Sequence, residues 1–539
     1  MGSVLVLVGS LGVGWLGPAS ALRGWLLFEL LRSSRGAVAI CGLFVVLGAL
    51  LLFAAWLSLG LALWNSRDAT DASSHLDRPG RPGRPAGPSR LRQVVVSAAA
   101  WSAPLLLTVP MFSRDMFAYV GQGRLMAAGL DPYTTGVADL PGWFGLGVDP
   151  LWADTQTPYG PVFVTLERLV VSSTDAFPPE VAVFGFRLLA FAGLAMLAYY
   201  AWRIARLRGL DAPVVLWAVA ASPLVLINFV VAGHNDALML GCIAAGVYYA
   251  LRDRPVLGTV FVALAIGIKP IALIALPVIG LIWAGSTAGW AAVIRRWAAV
   301  AAIALGGLAA LGWGLGVGVG WIGALATPVT ISSWYAPANI LGISIGGLAN
   351  AMGLPGDTAQ TGLKLALLAL GCAAAAYLLI AKRRADPLWL LAACFAVIVL
   401  SSPVVHPWYG LWLLTLLALA SGVRMPRRES PAAGPRSSPS WQPARQWEPW
   451  RLRTLVYSTG FFLLIGLAEP LDLVPRLETD AGIPVLVIGT ALVGVTALLI
   501  VAERAARRSG VFPLRRSGRL APPAPSVRRS DDVEAAPLD

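Results

Sequence analysis

Long apolar stretches recur along the chain, and short polar or glycine-rich segments separate them. The stretches that are long enough, or nearly so, to cross a membrane as helices lie at roughly 3–21, 37–64, 94–112, 181–201, 213–231, 237–251, 297–315, 362–381, 387–402, 408–422, 454–469 and 482–502. Two shorter stretches, 255–267 and 271–284, flank Lys269-Pro270 and predict a tight pair of short or tilted helices. The whole pattern predicts an all-α polytopic membrane protein with about fourteen transmembrane helices.

Composition supports this class. The chain is 57% hydrophobic and 13% charged, whereas soluble domains are about 45–50% apolar and about 25% charged. The formal net charge of +13 comes from arginines that cluster in loops, as the positive-inside rule expects. No basic face or nucleic-acid-binding module is recognisable, so membrane lipids are the expected surroundings and no nucleic-acid partner is predicted.

Loop charge also predicts the division of the chain. The Arg-rich and Pro-rich segments 66–92 and 425–450 and the tail 504–539 are assigned to the cytoplasm and are predicted to be disordered. These segments separate an N-terminal transmembrane hairpin, a transmembrane core and a C-terminal transmembrane hairpin, at 1–65, 93–424 and 451–503.

Two long loops, 112–180 and 316–360, are left on the outer side and are predicted to carry short interfacial helices. Helix parity requires that 159–173 and 336–352 do not cross the membrane, so they are interpreted as re-entrant or interfacial segments. One conflict remains, because the connection 22–36 holds three arginines and yet parity places it outside.

The cysteines and the acidic residues give no sign of a metal site. All four cysteines lie inside apolar stretches without Cys-x-x-Cys spacing, and they are interpreted as packing residues. No His, Asp or Glu spacing typical of a metal site is present. No cofactor and no metal ligand are predicted, and a metal requirement is left open.

A charged signature lies where one apolar stretch ends. Arg114 and Asp115 directly follow the stretch 94–112, and charges at the edge of the hydrocarbon are functional-site candidates because they are costly to bury. Helical spacing from Asp115 places Tyr119 and Gln122 on the same face, and both are predicted to bind substrate. Asp115 is predicted to be a general base, with a pKa raised by partial burial.

Two alternatives stay open at this signature. Asp115 is also explained as a helix-start carboxylate that satisfies backbone amides. Arg114 is explained as a partner of Asp115, as a ligand for a phosphate, or as an anchor at lipid headgroups.

The loop that follows carries aromatic and turn-forming residues. Asp131-Pro132-Tyr133 and the segment 157–161 with Tyr159 have prolines that pre-set turns. The tyrosines offer flat surfaces for sugar rings, and interfacial anchoring is the competing explanation. Asp149 and Asp154 are further acid candidates.

Three polar motifs lie at other outer turns. His234-Asn235-Asp236 opens a helix; capping explains Asn235, and Asp236 is predicted either to orient His234 or to bind acceptor hydroxyls. Lys269 interrupts an apolar stretch, and a lipid phosphate or Asp236 would be a suitable partner.

The last motif ends one apolar stretch and begins the next. His406, Trp408 and Tyr409 are explained either as substrate contacts, with His406 on a phosphate, or as an aromatic belt at the membrane surface.

Taken in order, these motifs resemble one known family. The motifs that carry the resemblance are Ser113-Arg114-Asp115, Gln122-Gly123, Gly129-Leu130-Asp131-Pro132-Tyr133, Thr157 to Pro161, Gly233-His234-Asn235-Asp236, Lys269-Pro270 and Pro407-Trp408-Tyr409. The chain is similar here to the actinobacterial polyprenol-phosphomannose-dependent α-1,6-mannosyltransferases of the GT-C superfamily of membrane glycosyltransferases.

The resemblance implies a GT-C fold in the plasma membrane with an extracytoplasmic active site. It implies polyprenyl phosphomannose as the donor and a lipid-anchored α-mannoside as the acceptor, a precursor of lipomannan and lipoarabinomannan. Asp115 matches the acid that such enzymes place in the first large outer loop, where it would act as the base. A β-linked donor and an α-linked product imply inversion in one displacement.

Two other functions stay open. A GT-C transferase for another lipid-linked sugar, such as glucose or arabinofuranose, would show the same features, because the residues do not reveal sugar stereochemistry. A lipid-linked sugar flippase or transporter is the other alternative. Transporters usually show repeats and charged or broken helices near the midplane, whereas the acids here cluster at the outer side.

Overall fold

The computed structural model describes residues 1–74, 89–326, 332–421, 449–468 and 482–508. These residues form helices and no β-strand, which confirms the predicted all-α class. The helices of the first half are α1 (Gly2–Val13), α2 (Leu26–Arg32), α3 (Arg35–Ser74), α4 (Arg90–Leu105), α5 (Asp115–Ala127), α6 (Pro161–Ser173), α7 (Pro179–Arg208), α8 (Ala212–Val219), α9 (Pro223–Val225), the π-helix Leu226–Val231 and α10 (Asp236–Leu251).

The second half continues in the same way. Its helices are α11 (Pro255–Ile268), the 3₁₀ helix Pro270–Ile274, α12 (Ala275–Ala284), α13 (Trp290–Gly314), the 3₁₀ helix Gly320–Ala326, α14 (Pro337–Ala351), α15 (Gly356–Ala381), α16 (Pro387–Ser401), α17 (Tyr409–Ser421), α18 (Pro449–Ala468) and α19 (Gly482–Arg508). Short 3₁₀ turns also occur in the loop between α5 and α6.

The lengths of the helices show which of them suit a membrane. Among the described residues, five helices are long and apolar enough to cross one, and six if the bent pair of α8 and the segment Pro223–Val231 forms one span. The five are Arg35–Ser66 within α3, α7, α13, α15 and Ile488–Arg508 within α19. The other apolar helices have 10–17 residues, below the ~20 residues of a straight span. The count of about fourteen stays a prediction.

The segments interpreted as non-spanning form α6 and α14, which have 13 and 15 residues. The predicted linkers 66–92 and 425–450 and the tail 504–539 fall largely outside the described residues. The helices α3, α4, α18 and α19 reach into their ends.

Two arginines of the connection 22–36 bind the end of α1. Trp15 Nε1 donates to Gly147 O at 2.8 Å, so the chain just before this connection lies against the loop 112–180. Arg23 and Arg32 donate to backbone carbonyls within Leu11–Gly17, at and after the end of α1. These guanidinium groups satisfy the carbonyls of a helix end, and the side of the membrane on which the connection lies stays a prediction.

Reciprocal contacts fix the interior. Trp56 of α3 and Trp217 of α8 stack with ring centroids 4.3 Å apart. The indole N–H of Trp56 donates to the backbone oxygen of Trp217 at 2.9 Å, and that of Trp217 donates to the oxygen of Trp56 at 2.7 Å. Each hydrogen bond contributes about 1 kcal/mol, and the pair locks α3 against α8.

Ion pairs join helices at the end of the bundle opposite the outer loop. Arg90 Nη2 lies 2.9 Å from Asp211 Oδ2, just before α8. Arg208, the last residue of α7, binds Asp386 with both terminal nitrogens. Both pairs serve to hold helix ends together.

Candidate functional site

A cavity of about 1720 Å³ lies where α5 and α17 begin. Its polar end is lined by Asp115, Lys269, His406 and the aromatic residues Trp152, Tyr159, Trp408, Tyr409 and Trp412. The rest of its lining, called the apolar limb below, is formed mainly by Ile271, Leu273, Ile274, Leu368, Cys372, Ala375, Ala376, Leu379, Ile398 and Val399. A smaller cavity of about 610 Å³ between α3, α8, α18 and α19 contains none of the predicted site residues.

A sharp turn delivers Asp115 to this cavity. Phe112 has a positive φ of 66°, which is uncommon for a bulky residue, and Ser113 Oγ accepts the backbone N–H of Asp115 at 3.1 Å. Asp115 therefore begins α5 with only 8% of its surface exposed. Its carboxylate faces the cavity and His234, so it does more than cap the helix.

The π-helix and a glycine place His234 behind Asp115. Gly233 has φ +66°, and a Cβ there would lie 2.3 Å from Met116 Sδ, so both backbone conformation and space require glycine. His234 is fully buried, and its Nδ1 lies 3.1 Å from Asp115 Oδ2. Short π-helices often occur at functional sites, and here one ends just before the histidine.

Trp408 lies between two imidazoles. Its ring centroid is 3.8 Å from that of His234 and 4.3 Å from that of His406, with interplanar angles of 29° and 7°. The stack joins the turn before α17 to the turn before α10. Three residues from two sequence motifs are thereby brought around Asp115.

Electrostatics at Asp115 differ from the sequence expectation. Burial, the largest influence, raises the pKa of Asp115, but its contact with His234 and the charges of His234, Lys269 and His406 outweigh burial and lower that pKa to about 2. The predicted rise was therefore wrong, because the neighbours were unknown. Burial lowers the pKa of His406 to about 4. At neutral pH Asp115 is ionised and the imidazole of His406 is neutral.

Lys269 and Asp236 form a second buried pair. Lys269 Nζ lies 2.9 Å from Oδ1 and 2.8 Å from Oδ2 of Asp236, and Trp412 Nε1 donates to Oδ1 at 2.7 Å. Asp236 is fully buried. The structure thus places Asp236 beside Lys269, and it places Asp115, not Asp236, beside His234.

Several predicted residues support the cavity wall from behind. Tyr119 is fully buried, and its hydroxyl accepts the backbone N–H of Asn235 at 3.4 Å. Gln122 Oε1 accepts the hydroxyl of Thr157 at 3.0 Å. The face shared by Asp115, Tyr119 and Gln122 packs into the protein, and only Asp115 lines the cavity.

The turn at 131–133 has a similar supporting role. Asp131 Oδ1 accepts the backbone N–H of Tyr133 at 2.9 Å, and the hydroxyl of Tyr133 donates to Tyr159 O at 2.9 Å. These contacts hold Tyr159, whose ring reaches the cavity.

Arg114 turns away from Asp115. Its guanidinium lies 3.5 Å from the ring centroid of Trp15, and its Nη1 is 3.6 Å from Asp149 Oδ2. This ion pair joins Arg114 to an aspartate other than Asp115, and a contact of Arg114 with a phosphate or with lipid headgroups stays a prediction. Asp149 is thereby engaged, and neither it nor Asp154 lines the cavity.

Sequence reasoning missed Trp412, Arg187 and the apolar limb. Trp412 lies three positions after Tyr409, a spacing that puts both on one helix face. Arg187 lies within the apolar stretch 181–201, where a charge is itself a signal. Among the described residues, no three of His, Cys, Asp and Glu are grouped as metal ligands.

Comparisons with known proteins agree with these motifs. The family model described as Alpha-(1->6)-mannopyranosyltransferase, N-terminal domain, matches residues 1–285, which include Asp115, His234 and Lys269. The model described as MptB C-terminal domain matches residues 339–434, which include His406 and Trp408.

Three relatives are informative. A probable alpha-(1->6)-mannopyranosyltransferase of Mycolicibacterium smegmatis is 32% identical over 59% of this chain and 63% of its own length. Alpha-(1->6)-mannopyranosyltransferase A of Mycobacterium tuberculosis is 32% identical over 62% of this chain and 61% of its own length. Alpha-(1->6)-mannopyranosyltransferase B of Corynebacterium glutamicum is 26% identical over 77% of this chain and 68% of its own length. The chain thus spans under two thirds of the first two relatives. No solved structure matches.

Proposed function

Since the chain belongs to the alpha-(1->6)-mannopyranosyltransferase family, we propose that it is a GT-C membrane glycosyltransferase with about fourteen transmembrane helices. In this proposal it moves mannose from polyprenyl phosphomannose to a lipid-anchored α-1,6-mannan chain, a precursor of lipomannan and lipoarabinomannan. The reaction takes place on the extracytoplasmic face of the plasma membrane. One observation carries the proposal: the lining of a single cavity combines a carboxylate and a lysine with a large set of apolar residues, the apolar limb.

The apolar limb fits an isoprenoid tail. It is formed by α15, α16 and the 3₁₀ helix after Lys269, and α15 is a candidate span most of whose surface the protein leaves uncovered. A lipid chain would enter sideways from the membrane between these helices and bury apolar surface at about 25 cal/mol per Å². The phosphate at its head would then meet Lys269.

The polar end fits the transfer step. The acceptor hydroxyl attacks the anomeric carbon while the bond from that carbon to the phosphate oxygen breaks, and the electron pair leaves with the polyprenyl phosphate. Asp115 takes the hydroxyl proton as the new bond forms. Lys269 stabilises the charge that develops on the leaving phosphate, and His406, neutral at working pH, contributes a hydrogen bond.

The aromatic wall fits a sugar. Trp152, Trp408, Tyr409 and Trp412 surround the space between Asp115 and Lys269. Trp408 Nε1 is buried and has no hydrogen-bond partner among the described residues, so it is placed to donate to a hydroxyl of the mannosyl ring. The wall also excludes water from the oxocarbenium-like centre.

A donor panel tests the reaction. Membranes that contain the chain are incubated with a short α-1,6-mannoside and labelled polyprenyl phosphates that carry mannose, glucose or arabinofuranose. We expect transfer of mannose, with an α-linked product. If only glucose or arabinofuranose is transferred, the donor sugar is that sugar and not mannose. Movement of labelled lipid across vesicle membranes without transfer would favour a flippase.

The native thiols test the apolar limb. Cys372 lines this limb and is exposed, whereas Cys41, Cys242 and Cys394 are buried. We expect a membrane-permeant maleimide to label Cys372, and polyprenyl phosphomannose to protect it while mannose 1-phosphate does not. A Cys372→Ala variant provides the background. Equal labelling with and without the lipid donor would show that the lipid tail does not bind in the apolar limb.

Thiol labelling also tests sidedness. In a Cys372→Ala background, Thr134→Cys places a thiol on an exposed position of the outer loop, and Arg252→Cys places one at the exposed turn between α10 and α11. We expect a membrane-impermeant reagent to label the first in intact cells and the second only after lysis. The reverse pattern would place the site in the cytoplasm.

A further inference from the structure

Arg187 is a buried arginine inside the membrane-spanning helix α7. Its exposed fraction is 3%. Its Nη1 donates to Leu106 O at 3.1 Å and to Thr108 O, and its Nη2 donates to Val231 O at 3.0 Å. A charge within a span is expensive unless it is well partnered, and here three backbone carbonyls partner it.

These carbonyls lie at, or just beyond, two helix ends. The helix α4 ends at Leu105, one residue before Leu106 and three residues before Thr108, and the π-helix ends at Val231. The last carbonyls of a helix lack partners within the helix and lie at the negative end of its dipole. A guanidinium carries donors on two terminal nitrogens and so reaches both helix ends at once, whereas the compact ammonium of a lysine does not.

The two tied ends lead directly to the Asp115–His234 pair. From Thr108 the chain runs through the turn at Phe112 to Asp115 at the start of α5. From Val231 it runs through Ala232 and Gly233 to His234. Arg187 touches neither residue of the pair, yet it joins the two segments that carry them.

We propose that Arg187 is a positioning residue that holds the Asp115 carboxylate against the His234 imidazole by fixing the ends of α4 and the π-helix to one another. The proposal rests on the proposed function, in which Asp115 is the base. His234, which is fully buried and does not line the cavity, then acts on Asp115 and does not contact the substrate.

The consequence is a change in pH dependence. Besides His234, the groups that face Asp115 are Lys269, His406 and the hydroxyls of three tyrosines, Tyr119, Tyr159 and Tyr409. When the contact with His234 is lost, the largest influence that lowers the pKa of Asp115 disappears, while burial, which raises that pKa, remains. A base must be ionised to act, so the rate then falls at a higher pH than in the native chain as pH is lowered.

The test compares pH profiles. The kcat/KM for polyprenyl phosphomannose is measured from pH 5 to 8 in the native chain, Arg187→Gln, His234→Gln and the double variant. We expect no acid limb from Asp115 in the native chain. In each single variant the acid limb should enter this range, and on that limb the rate falls about tenfold for each pH unit below the pKa of Asp115. The double variant should match His234→Gln, since Arg187 acts through that residue.

Two further variants separate positioning from folding. Arg187→Lys keeps the charge without the fork, and its profile should lie between those of the native chain and Arg187→Gln. Arg208→Gln removes an arginine at the other end of α7, where it binds Asp386, and should leave the pH profile unchanged. Equal losses at every pH in the Arg187 variants would overturn the proposal. So would loss of both Arg187 variants from the membrane while Arg208→Gln is retained.

Failure of this inference is distinguishable from failure of the proposed function. If the native chain transfers no mannose, the proposed function fails. If the native chain is active, Asp115→Asn is inactive and the pH profiles of the Arg187 variants match that of the native chain, only the positioning role fails.

Discussion

Asp115 and Asp236 are the same residue type in matching local positions, since each is the first residue of a helix. Their surroundings differ. Asp236 is fully buried and receives Lys269 and Trp412 on its two oxygens. Asp115 keeps 8% of its surface exposed, lines the cavity and has His234 beside one oxygen.

The difference separates two tasks of a carboxylate. Donors already occupy both oxygens of Asp236, so it serves as the counter-ion that fixes the Lys269 ammonium at the cavity wall. Asp115 keeps access to the cavity and stays ionised, so it is the carboxylate that a substrate hydroxyl can reach. In the proposed function, the pair around His234 serves proton transfer and the pair around Lys269 supplies charge.

The variant with the largest expected effect is Asp115→Asn, which tests whether Asp115 is the base. The amide keeps the size of the side chain and cannot accept the proton, so we expect kcat to fall by ~10²–10⁴-fold. The donor KM should stay near that of the native chain, measured with labelled polyprenyl phosphomannose. Normal turnover in a well-expressed variant would remove Asp115 from the mechanism.

The matching change, Asp236→Asn, should act on stability as well. Removing one partner of a buried ion pair leaves an uncompensated charge, here that of Lys269, and costs about 3–5 kcal/mol. We expect a lower thermal midpoint in detergent and a raised donor KM, whereas Asp115→Asn keeps its thermal midpoint. Equal midpoints for the two variants would erase the distinction between counter-ion and base.

Lys269→Met tests the same ion pair by removing the cation instead of the carboxylate. Hydrogen bonds to charged groups contribute about 1.5–3 kcal/mol, so we expect the donor KM to rise by about 10-fold to 100-fold while the acceptor KM stays the same. Kinetics at varied donor and acceptor concentrations separate the two constants. A rise in the acceptor KM alone would show that Lys269 does not bind the donor phosphate.

The sequence identified these residues because each lies where an apolar stretch ends. Helix ends on one side of a membrane meet at one level, and this brings Asp115, Lys269 and Trp408 to one cavity without knowledge of the packing. Of the pairings among them, Asp236 with Lys269 was one of two alternatives offered by the sequence, whereas Asp115 with His234 was not predicted. Asp236 and Lys269 are far apart in the chain, and so are Asp115 and His234, so only tertiary packing decides which residues meet.

Periodicity had a similar limit. It placed Tyr119 and Gln122 on the face of Asp115. Helical periodicity shows which residues share a face, but it does not show what that face contacts. The predicted direction of the pKa change at Asp115 was wrong for the same reason. Burial was foreseeable from the apolar flanks, whereas three basic neighbours from other segments were not.

His406→Gln should have the smallest effect and completes the comparison, because it tests a phosphate contact without charge. Burial lowers the pKa of His406 to about 4, so above pH 5 the imidazole is neutral and supplies only a hydrogen bond of about 0.5–1.5 kcal/mol. We expect the donor KM to rise by about 2-fold to 10-fold, and by the same factor at pH 6, 7 and 8. A protonated imidazole would behave differently, since its contribution would be largest at pH 6 and would be lost as pH rises through its pKa. Donor KM values at the three pH values decide between these outcomes, with Lys269→Met as the reference for loss of a charge. An effect of His406→Gln that shrinks steadily from pH 6 to 8 would show that His406 binds the phosphate as a cation.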